Sequence, residues 1–470
     1  MQLRQWQNEF VASALQHYDS FDKHFLCLAT HGAGKTLAAA EIAARLYEQN
    51  KIDFILCFSP SVTVAQGIHS TFVRRFNRRF DGLIGAIGCS YTYQNMLFFN
   101  KDFWQIIKNS RVLVIFDEIH HCAGISVETA NAWGEEIILN IQSQAAYTLA
   151  LTGTPWRSDN APITISRYLE PDNIIKCDYT YGLAEAVRDG VCRSPKIVLV
   201  DNGQLSVTDD ENETKIFGSI KELLRESSIS YQSIISNSKA ISYLLDQGCR
   251  KLAEIRQTNP AAGGLIVASS VEHASNILRV LRNEFHQSAI IVTYKEQEPS
   301  QIIEQFRRSN TQWIVSVGMV SEGTDIPRLQ VCCHLSRVKT ELYFRQVLGR
   351  ILRVCNAPNQ QAWLYTFAEP MLTEFAHRIG TEIPDSLVII KDTIDHSTLT
   401  PENIIENKSI ELSHSTFNIE YDDNENILTR AVLGDDYNNS ADILNGTSSC
   451  SFDILGGFRQ QVIATFDSPF

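Results

Sequence analysis

Lys35 and Thr36 stand at the mouth of a glycine-rich turn, where an ammonium and a hydroxyl suit phosphate and a divalent cation. They close the segment Ala29-Thr-His-Gly-Ala-Gly-Lys-Thr36. Gly32 and Gly34 let backbone N–H groups approach phosphate oxygens, and a helix N-terminus just beyond adds a favourable dipole. Lys35 would reach the β- and γ-phosphates, and the Thr36 hydroxyl would bind Mg²⁺. Ala29 replaces the first Gly of the general pattern. Downstream, Val114-Ile-Phe-Asp-Glu-Ile-His-His121 sets two carboxylates at the end of an apolar run. Asp117 suits Mg²⁺ held through its water shell. Glu118 suits polarisation of the water that attacks a γ-phosphate. Leu151-Thr-Gly-Thr-Pro-Trp156 closes the next apolar run, and its hydroxyls and tight turn are placed to relay phosphate state.

These segments need elements to hold them. The apolar runs 25–28, 54–58, 112–116 and 147–151 read as buried strands, each followed by polar or Gly/Pro punctuation. Residues 37–46 are strong helix formers. Near-continuous apolar strands with helices between them indicate a parallel sheet covered on both faces. Ligands of such folds bind beyond the carboxyl ends of the strands, where the chemical residues stand. A second αβ series runs from about 264 to 367, with strands expected at 265–268, 289–292, 313–317 and 331–335. Residues 201–238 read as a polar connection or insertion, mobile in part. The last hundred residues lack clear αβ alternation.

In the second series, Ser321-Glu-Gly-Thr-Asp-Ile-Pro327 follows a strand, and Arg345-Gln-Val-Leu-Gly-Arg-Ile-Leu-Arg353 follows later. On a helix, Gln346, Arg350 and Arg353 share a face. Such a row can meet a γ-phosphate from across a cleft and stabilise transition-state charge. Phe72-Val-Arg-Arg-Phe-Asn-Arg-Arg-Phe80 is the most basic segment. Its phenylalanines suit a core-facing stripe. Arg74, Arg75, Arg78 and Arg79 then face solvent or contact nucleic-acid phosphates.

Taken in order, these segments resemble superfamily 2 helicases and translocases of the Asp-Glu-x-His type. Leu3-Arg-Gln-Trp-Gln7 is similar to the opening motif whose Gln contacts adenine, which implies that role for Gln7. Lys35 and Thr36, Asp117 and Glu118, residues 152–154, Gly323 and Asp325, and Gln346, Arg350 and Arg353 match successive family motifs. Phe58-Ser-Pro-Ser61 resembles a motif that touches the nucleic-acid backbone, which implies Ser59 and Pro60. Residues 181–190 resemble the segment leading out of the first motor domain. The resemblance covers about residues 1–370. It implies an α/β fold of two tandem RecA-like parallel-sheet domains, 1–190 (ATP-binding) and 191–370 (helicase C-terminal), with an ATP cleft between them. Residues 371–470 would be a C-terminal acidic accessory region, domain or tail. The implied enzyme is a nucleic-acid-stimulated ATPase using ATP and Mg²⁺. Variant motif forms resemble the DNA-directed branch, with restriction-enzyme motors, phage recombination and repair helicases, so DNA is preferred to RNA. RNA unwinding and an ATP-gated clamp or assembly factor are the alternatives.

Composition agrees with this reading. A chain of 470 residues is too long for one core. The net charge of −13 opposes nucleic-acid binding at first sight, but its distribution does not. Residues 371–470 carry 17 acidic and 5 basic side chains, −12, which leaves −1 for the first 370. That acidic region suits a protein partner or competition for a basic groove. Eleven scattered cysteines without a C-x-x-C pair argue for a reducing, cytoplasmic setting and against a zinc site. His120, His121 and Cys122 are adjacent and do not converge on one ion. No run is long enough to span a membrane.

Overall fold

The computed structural model describes residues 2–20, 22–381, 393–394 and 451–464, apart from 158, 160, 170, 172–173, 210–211, 319–325, 356 and 359. The two αβ series form two parallel sheets. The first contains α1 (Gln5–Asp19), β1 (His24–Ala29), α2 (Lys35–Glu48), β2 (Phe54–Ser59), α3 (Val62–Phe76), β3 (Gly88–Thr92), β4 (Val112–Asp117) and β5 (Tyr147–Thr152). Its order is β3-β2-β4-β5-β1, with strand Tyr179–Tyr181 at the far edge. Every pairing is parallel. All six residues of β4 are buried, as a strand covered on both faces requires. Alanines 38, 39, 40, 43 and 44 are buried along α2, so that helix packs closely between the sheet and its neighbours.

The order makes β1, β5 and β4 direct neighbours. Being parallel, they open at one edge. The glycine-rich turn, the Thr-Gly-Thr turn and the Asp-Glu pair therefore meet there.

Topology separates the arginine-rich segment from that edge. Ser59 and Pro60 lie at the carboxyl end of β2, but α3 then runs back down the sheet. Its 15 residues cover about 22 Å at 1.5 Å each. The chain emerges near the start of β3, where the Ile87 N–H donates to the Arg79 carbonyl at 3.1 Å. Phe72 and Phe80 enter the core with rings 4.7 Å apart, as their spacing anticipates. Arg75 pairs with Glu41 at 2.6 Å, Arg78 with the Tyr47 hydroxyl at 2.9 Å, and Arg79 with Asp81 at 2.8 Å. The segment that carries Arg74, Arg75, Arg78 and Arg79, expected to contact nucleic-acid phosphates, thus lies toward the amino ends of the strands, away from the carboxyl edge where ligands of such folds bind.

The second sheet runs Ala289–Thr293, Trp313–Val317, Gly263–Ala268, Leu329–Leu335, Gln361–Phe367 and Ser194–Asn202, all parallel. Two segments depart from the sequence reading. Residues 201–238 are not a loose connection. Leu205–Thr208 and Thr214–Phe217 form a hairpin, and helices Ile220–Glu226 and Tyr231–Ser236 follow. Leu205, Phe217, Ile220, Leu223, Ile234 and Ile235 are buried and anchor it, though their spacing among polar residues hides them in the sequence. Near the other end of the chain, Phe458–Ala464 pairs antiparallel with Ser194–Asn202, and Ser451–Ile454 completes the hairpin sheet. Tyr243 stacks on Phe458 at 4.2 Å, and Arg459 pairs with Asp201 at 2.9 Å. Helix Pro370–Thr381 buries Leu372, Phe375, Ala376 and Ile379. Both ends of the acidic region thus belong to the second core, whereas residues 395–450 lie outside the described residues.

His334 gives this core an acid sensitivity. It is fully buried in strand Leu329–Leu335, near the rings of Tyr343 and Phe344, and burial pushes its imidazole down to about 4. The unfolded chain takes up this proton near pH 6.5, whereas the native fold resists it until much lower pH. Its contribution to stability therefore falls as the pH drops through that window. Between pH 7 and pH 5 the expected loss is about 2 kcal/mol. His334→Leu should flatten the pH dependence of urea-unfolding stability by that amount. An unchanged slope would show that other groups carry it.

Candidate nucleotide site and its surroundings

The turn after β1 takes its shape from two glycines. Gly32 has φ +82° and Gly34 has φ +97°, a backbone region costly for other residues. Lys35 and Thr36 open α2, so the helix N-terminus points into the turn. The opening segment clamps this turn from outside. Arg4 Nη1 donates to the Ala33 carbonyl at 2.8 Å, and Gln7 Nε2 to the Gly34 carbonyl at 2.9 Å. Trp6 stacks on Tyr181 at 4.5 Å, which fixes α1 over the far edge of the sheet.

Glu118 is the centre of the site. Its backbone is left-handed at φ +52°, a conformation that costs a non-glycine residue about 1–3 kcal/mol. The turn aims the carboxylate back across the sheet edge. Lys35 Nζ donates to Glu118 Oε1 at 2.9 Å, and the Gly153 N–H to Oε2 at 3.0 Å. His120 Nδ1 stands 3.5 Å from Oε2 and His31 Nε2 3.7 Å from Oε1. Burial opposes ionisation of this carboxyl, but the Lys35 charge and the two imidazoles outweigh it and hold the group well below the usual carboxylate range. Glu118 is therefore an anion at neutral pH. His120 Nδ1 also meets Thr152 Oγ1 at 3.0 Å, which ties the Asp-Glu turn to the Thr-Gly-Thr turn. Asp117 is buried at the end of β4, and the Tyr93 hydroxyl donates to its carbonyl at 2.8 Å.

The second sheet supplies the opposite wall. Helix Glu341–Ile351 carries Gln346 and Arg350, both buried. Arg353 does not continue the helical row. The helix stops at Ile351, where Arg193 Nη1 takes the Ile351 carbonyl at 3.2 Å and the Arg193 N–H takes the Leu352 carbonyl at 2.7 Å. Arg353 then bridges to Cys192 in extended form, and a Cβ placed on Gly32 would stand 3.2 Å from its Cγ. The arginine stem therefore lies over the phosphate turn. Gly323 and Asp325 lie outside the described residues. Ser59 is buried beneath the carboxyl edge, with its hydroxyl 3.3 Å from the Tyr91 carbonyl, and Pro60 is buried beside it.

The donor set suits a nucleotide with a hard cation. Thr36 offers a hydroxyl and Asp117 a carboxylate, the oxygen ligands Mg²⁺ takes. Among the described residues no three His, Cys, Asp or Glu side chains form another metal cluster. No described helix is long and apolar enough to cross a membrane.

Sequence reasoning passed over Arg193. It is fully buried where the chain passes between the sheets. Its guanidinium donates to the carbonyls of Pro327 (3.0 Å), Leu329 (2.5 Å) and Ile351, to Gln360 Oε1 (3.3 Å) and to Cys355 Sγ (2.9 Å). Burial pushes it down to about 10, against the pull of the Cys355 thiol. It ties the strand after Pro327 to the end of the arginine helix. Nothing in the local sequence around residue 193 signals this, because its partners lie at least 134 residues away.

Comparison with known proteins agrees with the geometry. Residues 1–157 match the family model of the type III restriction enzyme res subunit, and 247–355 that of the helicase conserved C-terminal domain. The chain belongs to superfamily 2 of the helicases and translocases, with its two RecA-like sheets and a cleft between them. An uncharacterised protein of Mycobacterium leprae is 30% identical over 393 residues, covering 81% of this chain. The chain spans 64% of that relative's length. The DNA 3'-5' translocase XPB2 of Sulfurisphaera tokodaii is 24% identical over 75% of this chain and 79% of its own. A solved fragment assigned as an HsdR subunit of a type I restriction enzyme from Vibrio vulnificus YJ016 superposes with a TM-score of 0.55. It is 17% identical and covers 79% of this chain and 65% of that one.

Removing the Arg193 guanidinium leaves several buried carbonyls without a donor. Each lost charged hydrogen bond is worth about 1.5–3 kcal/mol, so Arg193→Leu should lower urea-unfolding stability by at least about 3 kcal/mol. Arg193→Lys should recover part of this. A loss below 1 kcal/mol in Arg193→Leu, roughly that of a single neutral hydrogen bond, would remove the hub from the account.

Proposed function

We propose that this protein is an ATP-driven DNA translocase or helicase. The observation that carries the reading is Glu118, largely withdrawn from solvent, ionised and bound by Lys35 of the turn that would receive phosphate. A nucleotide's outer phosphates compete for Lys35. Once Lys35 turns to them, Glu118 is released to accept a hydrogen bond from the attacking water. Thr36 and Asp117 would hold Mg²⁺, which would supply positive charge to offset that of the phosphates. Arg350 and Arg353 would face the transferred phosphoryl group from the second sheet, and Gln346 would order the same wall. Gly323 and Asp325 belong to this proposal by resemblance alone. Gln7 would read the base from the segment that already clamps the turn.

Closing the cleft on ATP and reopening it after hydrolysis moves the carboxyl edge of one sheet relative to the other. A strand held across those edges is displaced stepwise, and Ser59 and Pro60 stand at the edge that would hold it. A motor of this kind grips the phosphate backbone, because it must pass any sequence. DNA is the preferred strand. The translocase and restriction-enzyme relatives support that choice by their names, as do the motif forms.

The test is ATP turnover by the full chain with single-stranded, duplex and forked DNA beside RNA. Turnover should rise with DNA more than with RNA. Stronger stimulation by RNA would favour RNA unwinding, and stimulated turnover without strand movement would favour a clamp. Lys35→Ala and Glu118→Gln should each abolish turnover with the fold intact, and near-normal turnover by Glu118→Gln would sink the assignment. Arg350→Ala should lower kcat at least tenfold while nucleotide affinity changes little, since its interaction is made chiefly in the transition state. Equal losses in both would mark Arg350 as structural.

A further inference from the structure

His31 occupies a slot walled by glycines from both halves of the molecule. A Cβ on Gly153, in the turn after β5, would stand 2.5 Å from His31 Cε1. A Cβ on Gly349, in the arginine helix of the second half, would stand 2.7 Å from His31 Cβ and 3.2 Å from Cγ. Neither glycine has a positive φ, so space and not backbone freedom is what each contributes. The imidazole Nε2 is 3.7 Å from Glu118 Oε1. The His31 carbonyl accepts from Cys192 Sγ at 3.6 Å, in the stretch that joins the two sheets. One residue of the phosphate turn thus touches the hydrolytic carboxylate, the Thr-Gly-Thr turn, the arginine helix and the connection.

We propose that His31 is a positioning residue that couples the seating of the arginine helix to the placement of Glu118. This rests on the ATPase reading above. In this structure Lys35 Nζ holds Glu118 Oε1 at 2.9 Å. When a γ-phosphate claims Lys35, the Gly153 N–H and the nearby imidazoles are what hold the carboxylate. The His31 ring keeps its place beside Glu118 only while Gly349 closes the slot behind it. The carboxylate is therefore aimed at water only when the second half, with Arg350, is seated. Hydrolysis is thereby withheld from an open cleft.

Space complementation tests this. Gly349→Ala is favourable for a helix in itself, so any loss reports the contact with His31. Gly349→Ala should lower kcat about tenfold or more, with nucleotide affinity by equilibrium binding changed less than about threefold. His31→Ala should show the same split. His31→Gly removes both the ring and its Cβ, so adding Gly349→Ala to it should cost nothing further, a coupling of about tenfold in the double-mutant cycle. Thermal melts of the same four proteins read the contact independently of turnover. A Gly349→Ala penalty equal with and without the His31 side chain would overturn the proposal. So would full turnover by His31→Ala. Complementation in the melts without any in kcat would leave His31 a packing residue and also overturn it. An inactive wild-type protein would instead sink the ATPase reading, and is told apart because the melts still report the contact.

Discussion

A carboxylate that must stay ionised while largely withdrawn from solvent sets the terms for the rest of the site. Only 15% of the Glu118 side chain is exposed, so its charge depends on partners brought from elsewhere. Lys35 comes from the turn after β1, the Gly153 N–H from the turn after β5, and His120 from the turn that Glu118 itself begins. These sources converge because β4, β5 and β1 are adjacent and parallel. A different strand order would leave the anion without these partners. The left-handed backbone at Glu118 fits the same logic, since local strain is tolerated where surrounding contacts over-determine it.

The second half depends on a buried charge of opposite sign. Among the described residues Arg193 has no carboxylate partner and is satisfied by carbonyls, an amide oxygen and a thiol. Carbonyl oxygens at the end of a helix carry partial negative charge, so the end of the arginine helix is a natural seat for a guanidinium. Ending that helix at Ile351 lets Arg353 turn onto Gly32. Arg193 and Glu118 thus fix the two walls separately. What remains adjustable is the contact between walls, which runs through small residues and an imidazole.

The sequence made the first sheet and its chemical edge legible, because each candidate residue lies at or shortly after the end of an apolar run and local spacing carries that information. Lys35, Thr36, Asp117 and Glu118 fall where the strand-end rule puts them. What depends on distant pairing was hidden. Ser194–Asn202 and Gln361–Phe367 are neighbours in space, and Phe458–Ala464 returns across more than 250 residues to cover the open edge. An unpaired edge of that length would be a site for aggregation, which gives a physical reason for the return. The acidic composition after residue 370 suggested a separate region because charge counts do not reveal a short strand at its end. Likewise, four arginines in nine residues suggest phosphate contact until the direction of α3 is known. Helical spacing puts Gln346, Arg350 and Arg353 on one face and gives no warning that the helix ends at Ile351, two residues before Arg353, where the buried Arg193 takes the Ile351 carbonyl.

The glycines at 32, 153 and 349 belong to one mechanical problem. Two walls that approach within van der Waals distance of a phosphate turn leave no room for side chains at the points of nearest contact. Gly32 faces Arg353, and Gly153 and Gly349 face His31. Each contact places a long or aromatic side chain of one segment against bare backbone of another. The Gly32–Arg353 and Gly349–His31 contacts form only when the walls are fully together, because there is no flexible side chain on the glycine to bridge a gap. Dispersion and hydrogen bonding fall steeply over the first ångström of separation. A cleft closed by side chain on bare backbone therefore distinguishes nearly closed from closed, which is the discrimination needed if Glu118 is to act only when the arginines opposite it have arrived.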